Sequence, residues 1–270
     1  ILDGRSDGLR ATIDGSLRDL QPWMVAFGAP DALDAAGTIA VTAEATGSID
    51  RPVLTANARV AAGRVAWPNA PLVTDVTAAL TLKDGIVDLP AVTATWQGGS
   101  LNALARMPLR FLEPWLPTNL MPDDTARTAT AQVRLDGLTP ALAAPWIEAA
   151  TLDELSGTAT AELDFSAERP ELDAVTGTLR IPTLNLLAQG VPIEQRRPTR
   201  VDLRSGVLRI ADWEWTLAGS PLVVSGTAGV TPESTLDMRV DGRLDLAVLS
   251  LFLPKGVADG TGDLALSLRG

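Results

Sequence analysis

Apolar and polar residues alternate with a period of two along much of this chain. In residues 38–45 the odd-numbered positions are aliphatic and the even-numbered positions are mostly polar. The aliphatic residues are Ile39, Val41, Ala43 and Ala45, and the polar ones are Thr38, Thr42 and Glu44. The same alternation covers residues 72–82, 158–165, 236–241 and 264–268. A period of two is typical of strands with one apolar face. We therefore predict a mostly β protein.

Turn residues recur about every 8 to 12 positions, a spacing that favours antiparallel meanders. Predicted turns fall at Gly47, Gly63, Asp84 with Gly85, Gly206, Gly219, Gly226, and Asp241 with Gly242. About 16 strands spaced 4.8 Å apart would extend on the order of 75 Å. Because large sheets twist and curl, we expect an elongated, curved antiparallel sheet whose apolar face lines a trough.

A cassette repeats three times, in residues 17–41, 138–163 and 244–268. Each copy holds an apolar stretch with a proline, then a Gly-Thr pair that we expect to open a strand, at Gly37, Gly157 and Gly260. Leu17, Leu20 and later apolar residues fall at helical spacing, which predicts a short amphipathic helix capped by Asp19.

These cassettes divide the chain into modules. We expect one continuous elongated β segment over residues 1–270 of a longer protein. Its approximate modules are a helix and connector at 1–36, a β module at 37–113, a connector with short helices at 114–156, a second β module at 157–253 and the start of another at 254–270. The absence of an initial Met leads us to expect a piece of a longer protein.

Composition narrows the chemistry. The 270 residues contain no cysteine, histidine or tyrosine, and 46% are hydrophobic. Thiolate and imidazole catalysis are thereby excluded, and we expect neither enzymatic activity nor a cofactor or bound metal. The net charge of −11, with only two lysines, argues against nucleic acid as a partner. No apolar run approaches the roughly 18 residues that a membrane-spanning helix needs.

Three stretches resemble the repeat of the TamB family of translocation and assembly module proteins, within the AsmA-like group. They are residues 157–164 (GTATAELD), 201–226 (VDLRSGVLRIADWEWTLAGSPLVVSG) and 240–270 (VDGRLDLAVLSLFLPKGVADGTGDLALSLRG). The resemblance extends more loosely over nearly the whole chain, but residues 114–124 lack the Gly-opened strand.

The resemblance implies a β-taco, a U-shaped sheet around an apolar groove. It also implies a periplasmic segment tethered to the inner membrane outside this chain, with phospholipid acyl chains and an outer-membrane barrel such as TamA as partners. The expected function is phospholipid transport between the membranes. Two alternatives stay open: a chaperone that pairs with outer-membrane strands, and an extracellular β-solenoid adhesin or polysaccharide-acting protein.

The alternating strands supply the candidate groove lining. Its predicted members are aliphatic and aromatic residues of one parity: Ile39, Val41, Leu80, Leu163, Phe165, Leu179, Ile181, Trp213, Trp215, Leu217, Leu236, Met238, Val240, Leu264 and Leu266. The Trp213 and Trp215 pair is either a ligand platform or simple packing.

Two polar groups also have open interpretations. A basic cluster at Arg196, Arg197 and Arg200 either meets lipid phosphate or belongs to a solvated loop. The acids Asp212 and Glu214 are expected to face solvent rather than to serve a glycosidase.

Overall fold

The computed structural model describes residues 5–20, 34–48, 52–66, 72–96, 98–111, 128–143, 153–169, 171–230, 235–245 and 260–270. One sheet contains 15 strands. They are β1 Arg5–Ser16, β2 Asp34–Ser48, β3 Pro52–Ala66, β4 Val73–Lys83, β5 Ile86–Trp96, β6 Gly99–Pro108, β7 Ala129–Leu138, β8 Leu155–Ala167, β9 Val175–Ala188, β10 Val191–Gln195, β11 Thr199–Arg204, β12 Val207–Leu217, β13 Ser220–Gly229, β14 Leu236–Asp245 and β15 Thr261–Arg269. The mostly β prediction is confirmed.

The strand order follows the chain. Each strand lies beside its sequence neighbours, except that the short strands β10 and β11 both pair with β9 and with β12. Pairing is antiparallel from β1 to β6 and from β9 to β15. The chain forms two compact units, one of Ile1–Val133 with Ser166–Pro170 and one of Arg134–Phe165 with Glu171–Gly270.

Tight hairpins join several neighbouring strands. Asp84 and Gly85 link β4 to β5 with φ of 51° and 71°, and Ser205 and Gly206 link β11 to β12 with φ of 49° and 71°. Two consecutive left-handed residues match the right-handed twist of the strands they connect. The predicted turns at Gly85, Gly206 and Gly219 are confirmed.

Other predicted turns are wrong because the glycine lies inside a strand. Gly63 lies in β3, Gly226 in β13, and Asp241 and Gly242 in β14. Glycine serves close backbone approach here: a Cβ at Gly226, where φ is 139°, would lie 2.2 Å from the Asp237 carbonyl oxygen on β14. From sequence alone such glycines are interpreted as turn residues. Their requirement becomes clear only from the close approach of a neighbouring strand.

The Gly-Thr pairs of the cassettes follow the same rule. Gly37 lies three residues inside β2 and Gly157 two residues inside β8, so only Gly260 precedes its strand. A Cβ at Gly157 would lie 2.2 Å from the Asn185 carbonyl oxygen on β9. The prediction that Gly-Thr opens a strand is therefore wrong for the first two copies.

The described part of the first cassette is a 3-10 turn at Leu17–Leu20. Ser16, not Asp19, caps it: the Arg18 amide donates to Ser16 Oγ, and the Ser16 amide donates to Asp19 Oδ2. This reciprocal arrangement resembles a capping box, with the amide of Arg18 in place of that of Asp19. In the second cassette a 3-10 turn spans Pro140–Ala143. The remaining predicted helical positions, 21–27, 144–152 and 246–253, lie outside the described residues.

Replacing Gly226 with Ala tests the close approach of β13 and β14. We expect a loss of about 3–4 kcal/mol in the free energy of unfolding, because the new methyl group meets a backbone oxygen and φ is unsuited to alanine. Gly219→Ala is the control: its φ is 82°, but nothing lies within 4 Å of the added Cβ, so only the conformational cost of roughly 1–2 kcal/mol applies. Urea unfolding measures both. Equal losses would contradict the steric explanation.

Candidate functional site

In the first unit, aliphatic residues from several strands form rows across one face of the sheet. Residues directly opposite one another in an antiparallel pair share a face. One row is Ile13, Val41, Ala58 and Leu80, and the next is Gly15, Ile39, Val60, Ala78, Val92 and Ala103. The predicted residues Ile39, Val41 and Leu80 therefore share this face.

The second unit carries a corresponding apolar face. Three adjacent rows define it: Leu179, Val201, Ile210, Gly226, Met238 and Leu268; then Trp213, Val224, Val240 and Leu266; then Trp215, Leu222, Gly242 and Leu264. Alternation along the strands adds Ile181, Leu217 and Leu236 to the same face. We refer to these rows as the apolar face of each unit.

Leu163 and Phe165 on β8 join the apolar face of the second unit. A Cβ at Gly177 would lie 2.5 Å from the Phe165 ring, so this ring covers the start of β9. Gly177 shares a face with Leu179, two residues along the strand. All 15 predicted lining residues thus lie on the apolar faces, three in the first unit and twelve in the second.

A β-bulge keeps Ile210 and Trp213 on one face despite their odd spacing. Ile210 pairs with Gly226 and Trp213 pairs with Val224, so two β12 residues, Ala211 and Asp212, oppose the single Ser225. The extra residue returns the apolar side chains after the bulge to the face that Ile210 occupies. Sequence pattern found Trp213 but missed Ile210, because simple alternation assigns them to opposite faces.

Apolar side chains on these faces are mostly half-buried rather than buried. The fraction exposed rises on β15, where Leu266 is 57% and Leu268 is 62% exposed. Side chains in a closed core would be buried, whereas contiguous exposed apolar surface is a common feature of interaction sites and ligand-binding grooves.

The opposite face is polar and carries ion pairs between exposed side chains. In the second unit Arg134 contacts Glu162 at 2.6 Å, Arg180 contacts Asp164 at 3.1 Å, and Arg200 contacts Asp202 at 2.7 Å. Threonine pairs occupy this face in the first unit, with Thr77 and Thr93 Oγ1 atoms 2.6 Å apart. The two faces therefore differ in chemistry along both units.

Two of the three arginines of the basic cluster, Arg197 and Arg200, are paired with carboxylates on the polar face. Arg197 contacts Glu214 at 2.8 Å and Asp212 at 3.8 Å, and Arg200 binds Asp202. These contacts also explain the two acids beside the tryptophans, which neutralise Arg197. The solvated interpretation of both the cluster and the acids fits these contacts.

A small polar cluster interrupts the apolar face of the second unit. Trp213 Nε1 donates to Gln195 Oε1 at 3.0 Å, and Gln195 Nε2 donates to the Ile181 carbonyl oxygen at 2.7 Å. The rings of Trp213 and Trp215 lie 4.6 Å apart at 56°. Thr199, 3% exposed, lies directly opposite Ile181. No sequence signal pointed to Gln195 or Thr199, because only strand pairing places Gln195 opposite Trp215 and Thr199 opposite Ile181.

Within the described ranges, no three acidic side chains converge on a position that could hold a metal ion. In the same part of the chain, no helix is both long and apolar enough to cross a bilayer. Comparison of the sequence and the structure with protein-family models, curated proteins and solved structures finds no match.

The Asp202 carboxylate makes stability depend on pH. Its hydrogen bonds from Arg200 and Thr178 hold the pKa of Asp202 below its ordinary 3.8. The folded state is therefore favoured above that ordinary value, and this contribution is lost as pH falls through the lowered pKa. We expect Asp202→Asn to lower the melting temperature at pH 7, with a stability change within the 0–1 kcal/mol of exposed pairs.

Thermal unfolding of both proteins across pH checks this expectation. Wild type and Asp202→Asn should converge once Asp202 is protonated in both the folded and the unfolded state. A difference that persists unchanged at the lowest pH would show that the carboxylate charge contributes nothing.

Proposed function

We propose that this chain is a non-catalytic periplasmic segment of a TamB-like protein whose apolar faces shield lipid acyl chains between the inner and outer membranes. In this proposal the sheet curves into a groove, with acyl chains inside and headgroups in water at its rim. The observation that carries it is the apolar face: rows of half-buried aliphatic residues that continue from strand to strand.

The energetics of acyl transfer support this assignment. Exposing a chain to water costs roughly 0.8 kcal/mol per CH₂, or about 10 kcal/mol for a common chain length. Contact with an apolar face removes most of that barrier without any chemical step. The same contact buries side chains such as Leu266 and Leu268, which are exposed in the free protein.

The distribution of polar groups supports the same function. Carboxylates on the polar face of the second unit, such as Glu162, Asp164 and Asp202, bind neighbouring arginines. These ion pairs keep the face hydrated and leave the apolar face as the surface that a hydrocarbon would contact. The net charge of −11 further favours solubility of a sheet with this much apolar surface.

Substitution at Leu266 tests acyl binding without disturbing a core. Leu266 is 57% exposed on β15, so Leu266→Asp should leave the sheet folded while placing a charge on the apolar face. We expect at least a tenfold loss in phospholipid extracted from vesicles, since a buried charge opposes hydrocarbon contact. Ser267→Asp is the matched control, because Ser267 lies on the other face of the same strand.

Site-specific crosslinking provides an independent test. Photoreactive residues at Leu163, Leu179 and Leu217 should capture phospholipid, whereas one at Glu162 should not. Capture of unfolded outer-membrane strands in place of lipid would support the chaperone function. Unimpaired lipid extraction by folded Leu266→Asp would overturn the proposal.

A further inference from the structure

The polar cluster of the second unit contains two buried groups that lack a partner. Trp215 Nε1 and Thr199 Oγ1 are inaccessible to solvent and make no hydrogen bond within the part of the chain that the structure describes. Their neighbours are satisfied, since Trp213 and Gln195 form a continuous pair of hydrogen bonds. Buried polar groups in proteins are nearly always paired, so each unpaired one requires an explanation.

Strand pairing places both groups on the apolar face. Trp215 lies directly opposite Gln195, whose side chain donates to the carbonyl of Ile181, the residue opposite Thr199. The surrounding positions of the face are aliphatic: Leu179, Val201, Leu217 and Leu222. An indole N–H and a hydroxyl therefore lie within hydrocarbon surroundings, where a hydrogen bond is strongest.

The available donors select the kind of acceptor. An indole N–H only donates, and a threonine hydroxyl donates or accepts. Charged donors bind phosphate and carboxylate oxygens most strongly, whereas both unpaired groups of this cluster are neutral, and Arg197 and Arg200 pair with Glu214 and Asp202 on the polar face. A neutral carbonyl oxygen flanked by hydrocarbon matches the cluster better than an anion does.

We propose that the cluster of Trp215, Thr199 and Gln195 binds the ester carbonyl of an acyl lipid, and so recognises ester-linked lipids at one position on the apolar face. Because both atoms are covered in the free protein, the lipid reaches them by displacing the side chains that cover them. Trp215 then donates to the carbonyl oxygen, Thr199 Oγ1 supplies a second donor, and Gln195 positions Trp213 beside them. This inference rests on the proposed acyl-binding function and adds a preference within it.

A matched pair of lipids tests this preference. Vesicles contain labelled dioleoyl phosphatidylcholine or its diether analogue, which has the same headgroup but no ester carbonyl, and extraction by the whole chain is measured. We expect about fivefold tighter binding of the diester, the value of one neutral hydrogen bond. Trp215→Phe should reduce diester binding to the diether level and leave diether binding unchanged.

Threonine variants provide a second test, which does not require the fold to tolerate substitution of Trp215. Thr199→Val removes the hydroxyl at nearly constant volume and should halve the diester preference or lower it further. Thr216→Val makes the same change on the opposite face of β12 and should leave the preference intact. Circular dichroism confirms folding of each variant.

The outcomes separate the two proposals. Equal binding of both lipids by the wild type, or equal losses for both lipids in folded Trp215→Phe or Thr199→Val, would overturn the ester site while leaving acyl binding intact. Failure to extract either lipid would overturn the proposed function itself.

Discussion

The other features of the structure depend on one constraint: the apolar side chains of every strand must lie on the same face of the sheet as those of its neighbours. A shift of one residue in any pairing would move a whole strand's apolar side chains to the polar face. Bulges correct the phase where the count differs: Ala61 and Ala62 oppose Thr77, and Asp75 and Val76 oppose Ala94. Pro90, which cannot donate to a strand ladder, also lies at such an irregularity in β5. The separation of apolar and polar faces follows from these corrections.

The polar face and the apolar face of this sheet are stabilised by different interactions. The polar face gains from cross-strand threonine pairs such as Thr77 with Thr93, each worth roughly 0.2–1 kcal/mol, and from ion pairs such as Arg134 with Glu162. The apolar face gains by burial, yet Ile13 and Leu266 remain more than half exposed. Additional stabilisation is therefore available to any hydrocarbon that covers them, which links the packing of the free protein to its proposed function.

Sequence pattern predicted the strands and their apolar parity, because period-two alternation is a local property. It predicted the turn at Asp84 and Gly85 for the same reason. It failed at Gly226 and Gly157, where glycine is required by a strand more than ten residues away. It also missed Gln195 and Thr199, since the pairing of β9 and β12 with two successive short strands places Gln195 opposite Trp215 and Thr199 opposite Ile181.

Two short strands, β10 and β11, together fill the single position between β9 and β12. The interruption between them explains why a polar cluster lies in an otherwise apolar face. β12 pairs with β11 up to Ile210 and with β10 from Trp215, so Trp213 lies at the break between the two ladders. The polar side chains Gln195 and Thr199 flank this break, since β10 ends at Gln195 and β11 begins at Thr199. Uniform aliphatic rows offer a sliding hydrocarbon no preferred position, because dispersion contacts are similar all along them. A directional hydrogen bond at one break would supply such a position, which connects an irregularity of the ladder to the recognition of a particular part of a lipid.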